Sequence, residues 1–512
     1  MTSRVLIVVV SVLMAAVVPA GAQPDRDFRA SVAAWVVQNQ PEIVGELMEL
    51  LSIPNVAADR ENIRRNAGRL REMLGRRGFE AEILETETNP LVYGELRAPG
   101  ATRTILFYSH YDGQPVEPSA WEQPDPFGPV LRTGRLDRGG ALVRDVPGGR
   151  DRPAYQDDWR LYARSASDDK SPIVGLLAAL DALKALGQAP TANIRVILDG
   201  EEEAGSPGLV PAIGKYRDKL RADLMVILDG PIHSSNRPTI AYGARGIVTL
   251  TLTVFGPKAG VHSGNYGNWI PNPAQRLASL LASMKDDSGR VLVKGFYDSV
   301  APLSSEEQAI LDAVPDDAAR MLRTFGVAAP EPAFGSFQAA LQMPTLNIRG
   351  LASAHVGAGA RTIIPDRAVA AMDIRLVKET SAADLVEKLR AHVRDRGYHL
   401  VSGEPDDEAR ATHGRIASLE AAAATNAFRT SPLDPQARRV AVALEGAFGA
   451  PPVQLRTLGG TVPIAPFVEA LGFPAILVPI VNFDNNQHEE NENLRLGNLF
   501  QGIEIISAIL RS

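Results

Sequence analysis

The chain has 512 residues and not one cysteine. It therefore forms no disulfide bond and offers no thiolate nucleophile. Structural zinc sites built from thiolates are excluded for the same reason. Without cysteine, and with only eight histidines, a metal site in this chain has to be built mainly from carboxylate ligands together with a few imidazoles.

Clusters of basic residues are also absent, and the formal net charge is -7. Nucleic acids and anionic membranes are bound mainly through clustered lysine and arginine, so neither is an expected partner. Beyond the amino terminus, no apolar segment is long enough to cross a bilayer. The hydrophobic content of 45% and the charged content of 22% are typical of a globular protein. The length indicates two domains.

The first 22 residues have the pattern of an export signal. Arg4 is their one charged residue, residues 5–18 form a continuous apolar stretch, and Ala20-Gly21-Ala22 supplies small residues for a signal peptidase. We therefore predict a signal peptide at residues 1–22 and an exported protein, periplasmic or secreted, that is free of the membrane after cleavage. The alternative is an uncleaved anchor, although the apolar stretch is short for a spanning helix.

Four apolar runs are typical of buried parallel strands. They lie at residues 104–109, 193–198, 224–228 and 474–481. Between the first two, residues 171–186 have the pattern of a helix that packs on a sheet. This alternation predicts an α/β fold, with a mostly parallel twisted sheet and helices on both faces.

A smaller α+β domain is predicted at residues 243–403, inserted into the larger one. Residues 249–254 and 368–377 alternate in polarity, as expected of strands with one solvent-exposed face. Asn272-Pro273 has the pattern of a helix start, and residues 381–397 indicate a second helix.

The larger domain would then consist of residues 23–242 and 404–512. The segment 403–435 mixes charge, alanine and proline, so we interpret it as a connecting excursion. Residues 437–448 have a helical pattern and would return the chain to the larger domain.

Side chains of metal-ligand types follow each of the four predicted parallel strands. The first strand runs into His110 and Asp112, the second into the three glutamates 201–203, the third into Asp229, and the fourth is followed by a loop with His488. Carboxyl ends of parallel strands meet at one edge of a sheet, so these side chains are expected to converge. Clustered carboxylates repel one another and resist desolvation, which favours a bound divalent metal over a solvated acidic turn.

Two further patterns permit more than one interpretation. Asp168 and Asp169 precede the predicted helix, where they could cap it or where one carboxylate could bridge two cations. His110 and Asp112 lie two residues apart, on one face of a strand. Asp112 could therefore orient the imidazole of a metal-bound His110, or His110 could make ordinary hydrogen bonds.

The order of these motifs resembles the M20 family of co-catalytic zinc peptidases, especially its carnosinase-like dipeptidase branch. The motifs are His110-Tyr111-Asp112, Trp121 with Asp125-Pro126-Phe127, residues 164–170, Glu202-Glu203-Ala204-Gly205-Ser206, Asp229 and His488. The resemblance spans nearly the whole chain after the export signal. It implies that the larger domain is catalytic and that the smaller one is a lid or dimerisation domain. Ser171-Pro172 stands where the family has glycine, a change that the first turn of a helix tolerates.

The resemblance implies two divalent metal ions. Zinc is the expected metal, and manganese or cobalt could occupy the same ligands. The implied ligands are His110, Asp168 and Asp229 for one ion, and Glu203, His488 and the shared Asp168 for the other. Glu202 would be the general base, and Asp112 would orient His110. Glu201 is expected to be a bystander, and His233 to line the cleft without binding metal.

The inserted domain is implied to contribute to the site as well. His262, in the loop 260–264, would stabilise the oxyanion, in many family members in the partner subunit's site, so a homodimer through the inserted domain is expected. Arg375 would bind the substrate's terminal carboxylate. Thr362 and the turn with Gly460 and Thr461 would also contact substrate.

We therefore predict an exported metal-dependent peptidase that cleaves dipeptides or short peptides with a free carboxyl terminus. An N-acyl amino acid deacylase or a glutamate-type carboxypeptidase on the same dimetal core is the alternative within enzymes. A non-catalytic exported binding protein is the alternative from another class, but a binding protein has no need of a base such as Glu202.

Overall fold

The computed structural model describes residues 22–144 and 155–512. Residues 1–21, which hold nearly all of the predicted signal peptide, lie outside the described residues. In the described part of the chain, no helix is both long enough and apolar enough to span a membrane.

The helices α1 to α14 of the described residues are given in chain order. They span Ala22–Leu51, Arg60–Arg76, Lys170–Ala185, Leu209–Leu220, Ser263–Tyr266, Pro273–Ala282, Ser305–Asp312, Ala318–Phe325, Phe337–Leu341, Ala382–Asp395, Asp407–Thr412, Pro435–Phe448, Ala465–Leu471 and Leu496–Leu510. A short 3-10 helix, Glu202–Ala204, follows the sixth strand.

The strands β1 to β20 of the same residues are numbered in the same way. They span Glu80–Leu84, Leu91–Leu96, Thr104–His110, Val130–Arg132, Arg160–Tyr162, Asn193–Asp199, Leu224–Ile227, Thr239–Ala241, Gly243–Ala244, Gly246–Phe255, Val261–His262, Asn347–Ala352, Ile363–Ile364, Arg367–Leu376, His399–Leu400, Ile416–Ala421, Phe428–Arg429, Val453–Leu455, Ala475–Leu477 and Asn493–Arg495.

The larger sheet has eight strands in the order β1-β2-β6-β3-β7-β19-β8-β18. The four central strands, β6, β3, β7 and β19, are parallel to one another, whereas β1, β2 and β6 pair antiparallel at one side. The predicted mostly parallel sheet is therefore confirmed. Only β19 is much shorter than predicted, because Pro479 has no amide hydrogen with which to continue the ladder.

Helices cover both faces of this sheet. On one face, Ile105 and Phe107 of β3 belong to an apolar cluster with residues of α1, α2, α3, α12 and α14. On the other face, Leu106 and Tyr108 of the same strand belong to a cluster with residues of α4 and α13. The alternation of neighbouring β3 residues between two cores is the arrangement expected of a strand that is buried on both sides.

A second sheet has five strands in the order β12-β14-β10-β16-β15. Its long pair is antiparallel, with Leu250 of β10 opposite Met372 of β14. Helices α6 and α10 contribute Leu277 and Leu389 to its core. This is the smaller α+β unit that the alternating pattern predicts.

The predicted end of the inserted unit at residue 403 is wrong. Strand β16 lies beside β10 in the second sheet, with Leu419 opposite Leu252, so residues 404–421 are not merely a connection. The short apolar segment 416–419 is buried and completes this sheet. The chain leaves the larger unit after β9 and returns to it at β17, which pairs with β9.

One part of the inserted segment packs on the larger unit instead of on the second sheet. Arg456, which is buried next to β18, donates hydrogen bonds to Glu307 at 2.7 Å and to Gln342 at 2.8 Å. These two residues lie near the beginning and just beyond the end of the segment α7–α9. The segment 305–341 is thus attached at both ends to the edge of the eight-stranded sheet.

Candidate dimetal centre

The carboxyl ends of three neighbouring parallel strands form the base of the site. His110 is the last residue of β3, and it lies opposite Asp199, the last residue of β6. Asp229 follows β7, the other neighbour of β3. The convergence expected from the strand order is therefore present.

Six side chains lie in two groups of three, and within each group one ligand atom per residue lies within 4.8 Å of the others. The groups are His110, Asp169 and Asp229, and Asp168, Glu203 and His488. All five ligands suggested by the sequence are brought together. Asp169 is an additional candidate.

Asp168 lies between the two groups. Its Oδ1 is 2.9 Å from His110 Nε2, and its Oδ2 is 3.1 Å from His488 Nε2. Glu203 Oε2 lies 3.4 Å from the same His488 nitrogen and accepts a hydrogen bond from Gln114 at 2.7 Å. One carboxylate therefore faces both imidazoles, the position that a bridging ligand requires.

Asp169 does not cap helix α3 with its side chain, although it occupies the N-cap position. It is fully buried, and one oxygen, Oδ2, accepts hydrogen bonds from the Ser109 hydroxyl and from the His110 amide. The other oxygen, Oδ1, is buried without a hydrogen-bond partner. The sequence showed the aspartate pair, but its residue types did not distinguish a cap from a group that faces the site.

Asp112 is fully buried and contacts two parts of the site. Its Oδ1 lies 3.3 Å from His110 Nδ1. Its two carboxylate oxygens also accept hydrogen bonds from the amides of Glu202, at 2.9 Å, and of Glu203, at 3.1 Å. One side chain thus links the orientation of the histidine to the position of both glutamates.

Glu201 is not the bystander that the sequence suggested. Its carboxylate accepts hydrogen bonds from the Thr88 hydroxyl, from the Asn89 amide at 3.2 Å and from the Gly208 amide at 2.7 Å. Asp199, at the same turn, accepts hydrogen bonds from Ser206 and from the Glu201 amide. These two carboxylates hold the turn, while the next two glutamates point into the site.

Glu492 is a further residue that sequence reasoning missed. It is fully buried and forms an ion pair with Arg164 at 2.8 Å. Its carboxylate also accepts hydrogen bonds from the amides of Ser165, Ser167 and Asp168. It therefore fixes the loop that carries Asp168, and the local sequence pattern around it contains no signal for that role.

The backbone of His488 is left-handed, with a φ of 67°. This conformation is unfavourable for residues other than glycine, so the surrounding loop has to hold it. Arg160 holds this loop at both ends. It donates hydrogen bonds to Asn493 at 2.7 Å and to Asp484 at 2.9 Å.

The electrostatics of the site reflect crowded carboxylates. Burial, followed by the charge of Asp168, raises the pKa of Asp229 to about 6 and the pKa of Glu203 to about 7. Burial also raises the pKa of Glu202 well above its ordinary value. The hydrogen bond to Asp168 raises the pKa of His488 to about 9. The protein groups alone therefore leave an excess of negative charge that a cation would neutralise.

The residues fit a pair of divalent cations. The donor set consists of carboxylate oxygens and imidazole nitrogens, which suit zinc and also manganese or cobalt. The buried Oδ1 of Asp169 has no hydrogen-bond partner, an arrangement that is costly unless another group satisfies this oxygen.

A cavity of 1380 Å³ opens above the two groups. Its lining includes Asp168, Glu202, Glu203, Asp229 and His488 on one side. His233 lines it too, as expected, and its Nε2 lies 3.1 Å from Asp316. Glu202 is thus accessible from the space in which a substrate would lie.

Two of the predicted substrate-binding residues line the cavity directly. They are Gly460 and Thr461. Arg375 of β14 donates a hydrogen bond to the Thr461 hydroxyl at 2.7 Å, so the structure brings these two residues together.

His262 and Thr362 lie elsewhere. Their side chains are exposed and 3.4 Å apart, where β11 pairs with β13. As far as the described residues show, the cavity wall of this chain includes neither of them.

A model of the peptidase family M20/M25/M40 matches residues 146–512. The chain belongs to this family. The resemblance recognised from the ordered motifs and the expectation of a metallopeptidase are both confirmed.

Relatives of this M20 peptidase include dipeptidases. The chain is 27% identical over 503 residues to the Cys-Gly metallodipeptidase of Candida albicans, covering 92% of this chain and 94% of that protein. It is 28% identical over 428 residues to the Beta-Ala-His dipeptidase of Homo sapiens, covering 82% of this chain and 76% of that protein.

Solved structures of the family share the fold. A metallo-carboxypeptidase from Sulfolobus solfataricus matches with a TM-score of 0.72 and 28% identity, covering 92% of this chain and 98% of the other. Human carnosine dipeptidase 1 matches with a TM-score of 0.69 and 25% identity, covering 94% of this chain and 98% of the other. The predicted fold class is thereby confirmed.

Proposed function

We propose that this M20 peptidase is a metal-dependent dipeptidase. The observation that carries the proposal is the convergence of two ligand groups around Asp168, with Glu202 beside them at the wall of a cavity. The dipeptidases among its relatives support dipeptides as the substrate class.

The residues of the two groups would hold two divalent ions, with Asp168 shared between them. Zinc is the expected metal, and manganese or cobalt suits the same ligands. When bound, the ions supply positive charge that lowers the pKa of water and polarises the scissile carbonyl.

Glu202 would act as the general base. Its carboxylate takes a proton from the attacking water and then delivers that proton to the leaving amine. Burial raises the pKa of Glu202 above its ordinary value, a shift that is common among catalytic carboxylates. Asp112 positions Glu202 through its backbone amide, and it orients His110 through the imidazole.

Arg375 and Thr461 would bind the carboxylate of the substrate. The hydrogen bond between them at 2.7 Å orients the guanidinium next to the turn of Gly460. A guanidinium presents paired donors that match a carboxylate, which accounts for selection of a free carboxyl terminus.

His262 and Thr362 would complete the site of a partner subunit in a homodimer. Both side chains are exposed, and β12, the edge strand of the second sheet, exposes Ile348 and Leu351. An exposed edge strand with apolar side chains favours association. His262 would then stabilise the oxyanion across the interface.

The dipeptidase proposal is tested by assaying the purified protein, loaded with zinc, manganese or cobalt, on dipeptides and N-acyl amino acids. Mass spectrometry of both products is the measurement. We expect dipeptides to yield two free amino acids, and we expect a chelator to abolish turnover until metal is restored. Hydrolysis of acylated amino acids alone would favour a deacylase, and no hydrolysis with any metal would contradict the proposal.

We also propose that the protein is exported, because residues 1–22 have the composition of a signal peptide. Export is tested by expressing the full chain and a chain that lacks residues 1–22, and by fractionating the cells in each case. Export of both forms, or of neither, would contradict it.

A further inference from the structure

Three phenylalanines are strongly exposed, whereas the other described phenylalanines are buried or half-buried. Phe325 is 71% exposed, Phe337 45% and Phe483 61%. Within residues 22–144 and 155–512 these are the exposed phenylalanines, and all three line the catalytic cavity. Large apolar side chains that are exposed together at one site indicate a binding surface.

Two of these rings project from one face of a helical segment. On α8, Met321 and Phe325 are four residues apart, and on α9, Phe337 and Leu341 have the same spacing. All four line the cavity. Side chains at this spacing share one side of a helix, so α8 and α9 present an apolar wall to the cavity.

This wall is fixed relative to the metal-ligand groups. Asp316, just before α8, lies 3.1 Å from His233 Nε2 and accepts a hydrogen bond from Gln338 of α9 at 2.8 Å. His233 follows Asp229 by four residues in the same loop. The contacts of Asp316 therefore connect both helices to the loop that carries a proposed metal ligand.

The second anchor is Arg456, which is buried and bonded to Glu307 and Gln342 at the two ends of the segment. A wall held in this way is formed before substrate arrives, so little ordering cost opposes binding. The cavity volume of 1380 Å³ lies above the range of about 300 to 1,000 Å³ that is typical of ligand sites, so the cavity has room for a dipeptide with bulky side chains.

We propose that Phe325, Phe337 and Phe483, with Met321 and Leu341, form a side-chain subsite that selects dipeptides with a bulky apolar residue, such as phenylalanine or leucine, at one of their two positions. This inference rests on the proposed dipeptidase function and adds the substrate class to it. Burial of the substrate's ring against these side chains removes apolar surface of both from water.

Charged side chains compete with this assignment. Arg138 and Arg320 also line the cavity, and both are exposed. A substrate with an acidic side chain would be their natural ligand. Arg320 lies on the same helix as Met321 and Phe325. The five apolar side chains nevertheless outnumber these two arginines in the cavity lining, so the apolar class is favoured.

The test compares kcat/KM for the series X-Gly and Gly-X, with X as alanine, leucine, phenylalanine, aspartate or lysine. At one of the two positions, we expect phenylalanine and leucine to exceed alanine by about tenfold or more. In Phe325→Ala and Phe337→Ala, the ratio of phenylalanine to alanine substrates is expected to fall several-fold. Leu433→Ala, an exposed residue outside the cavity, is the matched control and should keep the ratio of the parent protein.

A binding measurement separates selection from chemistry. In a Glu202→Gln background, calorimetry should show tighter binding of the favoured phenylalanine dipeptide than of its alanine counterpart, and Phe325→Ala should remove that difference. Equal turnover across the series, or a preference for aspartate, would overturn the subsite while leaving the dipeptidase function intact. Absence of turnover with every dipeptide and metal would instead contradict the proposed function itself.

Discussion

Four acidic residues at the end of β6 have different surroundings, although their side chains are chemically alike. Asp199 and Glu201 accept hydrogen bonds from neighbouring backbone and hydroxyl groups, and these bonds keep the turn in place. Glu203 lies near His488, and Glu202 lines the cavity. Position along one turn thus separates structural carboxylates from those available for chemistry.

Glu492 provides a test at the scale of a single residue. The change Glu492→Gln replaces one acceptor oxygen by a donor that faces backbone amides, and it leaves Arg164 without its charge partner. We expect a loss of about 3 kcal/mol in the free energy of unfolding, together with weaker metal binding because the loop of Asp168 is no longer fixed. Chemical denaturation and metal titration measure the two effects.

Glu490→Gln is the matched control, since Glu490 lies in the same loop and is exposed. This variant should change neither the free energy of unfolding nor the affinity for metal. If Glu492→Gln behaves like this control, Glu492 does not position Asp168.

The five predicted metal ligands could be found from the sequence because each follows a recognisable strand or lies in a distinctive motif. Glu492 and Asp169 could not be assigned in this way. The role of Glu492 depends on contacts with residues more than 320 positions away in the chain. The role of Asp169 depends on which way its carboxylate faces, and its residue type is equally compatible with a cap.

At the scale of elements, the loop between β19 and β20 depends on an ion-pair network. Asp484 contacts Arg160 and Arg135. Burial would raise the pKa of Asp484, but the hydrogen bonds from Arg160 and Arg135 outweigh it and lower the pKa to about 2. This network holds the loop that carries His488.

Asp484→Asn should lower the free energy of unfolding at pH 7 by about 1 kcal/mol, a small value because the side chain is partly exposed. An unfolded aspartate has a pKa of about 3.9, so the native carboxylate contributes its full stabilisation above that pH. The difference between the parent protein and the variant should therefore shrink as the pH falls from about 4 through about 2. Denaturation at several pH values measures it.

Asp158→Asn is the control, because Asp158 pairs with Arg495 at the surface and is itself 83% exposed. It should have little effect at any pH. A difference for Asp484→Asn that stays constant through the acidic range would show that the carboxylate charge is not what stabilises the loop.

Strand patterns predicted most of the elements, because alternating or continuous apolar runs reflect burial on one or two faces. The pattern failed at β16, which is short and lies between a polar stretch and a run of alanines. Its membership of the second sheet depends on pairing with β10, more than 160 residues earlier in the chain. The attachment of α7–α9 to the larger unit was likewise not predictable, because it depends on the distant Arg456.

At the scale of the whole molecule, bound metal should determine stability near neutral pH. The folded pKa values of Asp229 and Glu203, about 6 and about 7, lie above the unfolded values of about 3.9 and 4.3. Between these limits the folded, metal-free protein binds more protons than the unfolded chain, so its stability falls as pH rises from about 4 to about 7.

Metal should reverse this trend, because cations stabilise the ionised carboxylates. At a free metal concentration of about 1,000 times Kd, one bound ion adds about 4 kcal/mol to the stability of the native state. We expect the melting temperature of the chelated protein to be lower at pH 8 than at pH 5, and metal to raise it most at pH 8. The variant His488→Ala changes a half-exposed side chain and should reduce the metal-induced rise in melting temperature. An equal rise in the variant and the parent protein would argue against His488 as a ligand.

The central claim is that this M20 peptidase holds two metals for a reaction in which Glu202 is the base. The most direct test measures metal content and dipeptide turnover together in Glu202→Gln. The account predicts that two metal ions per chain are retained while kcat falls by about 10² to 10⁴-fold, whereas Glu203→Gln loses metal. Turnover close to that of the parent protein, or a loss of metal from Glu202→Gln equal to that from Glu203→Gln, would contradict it.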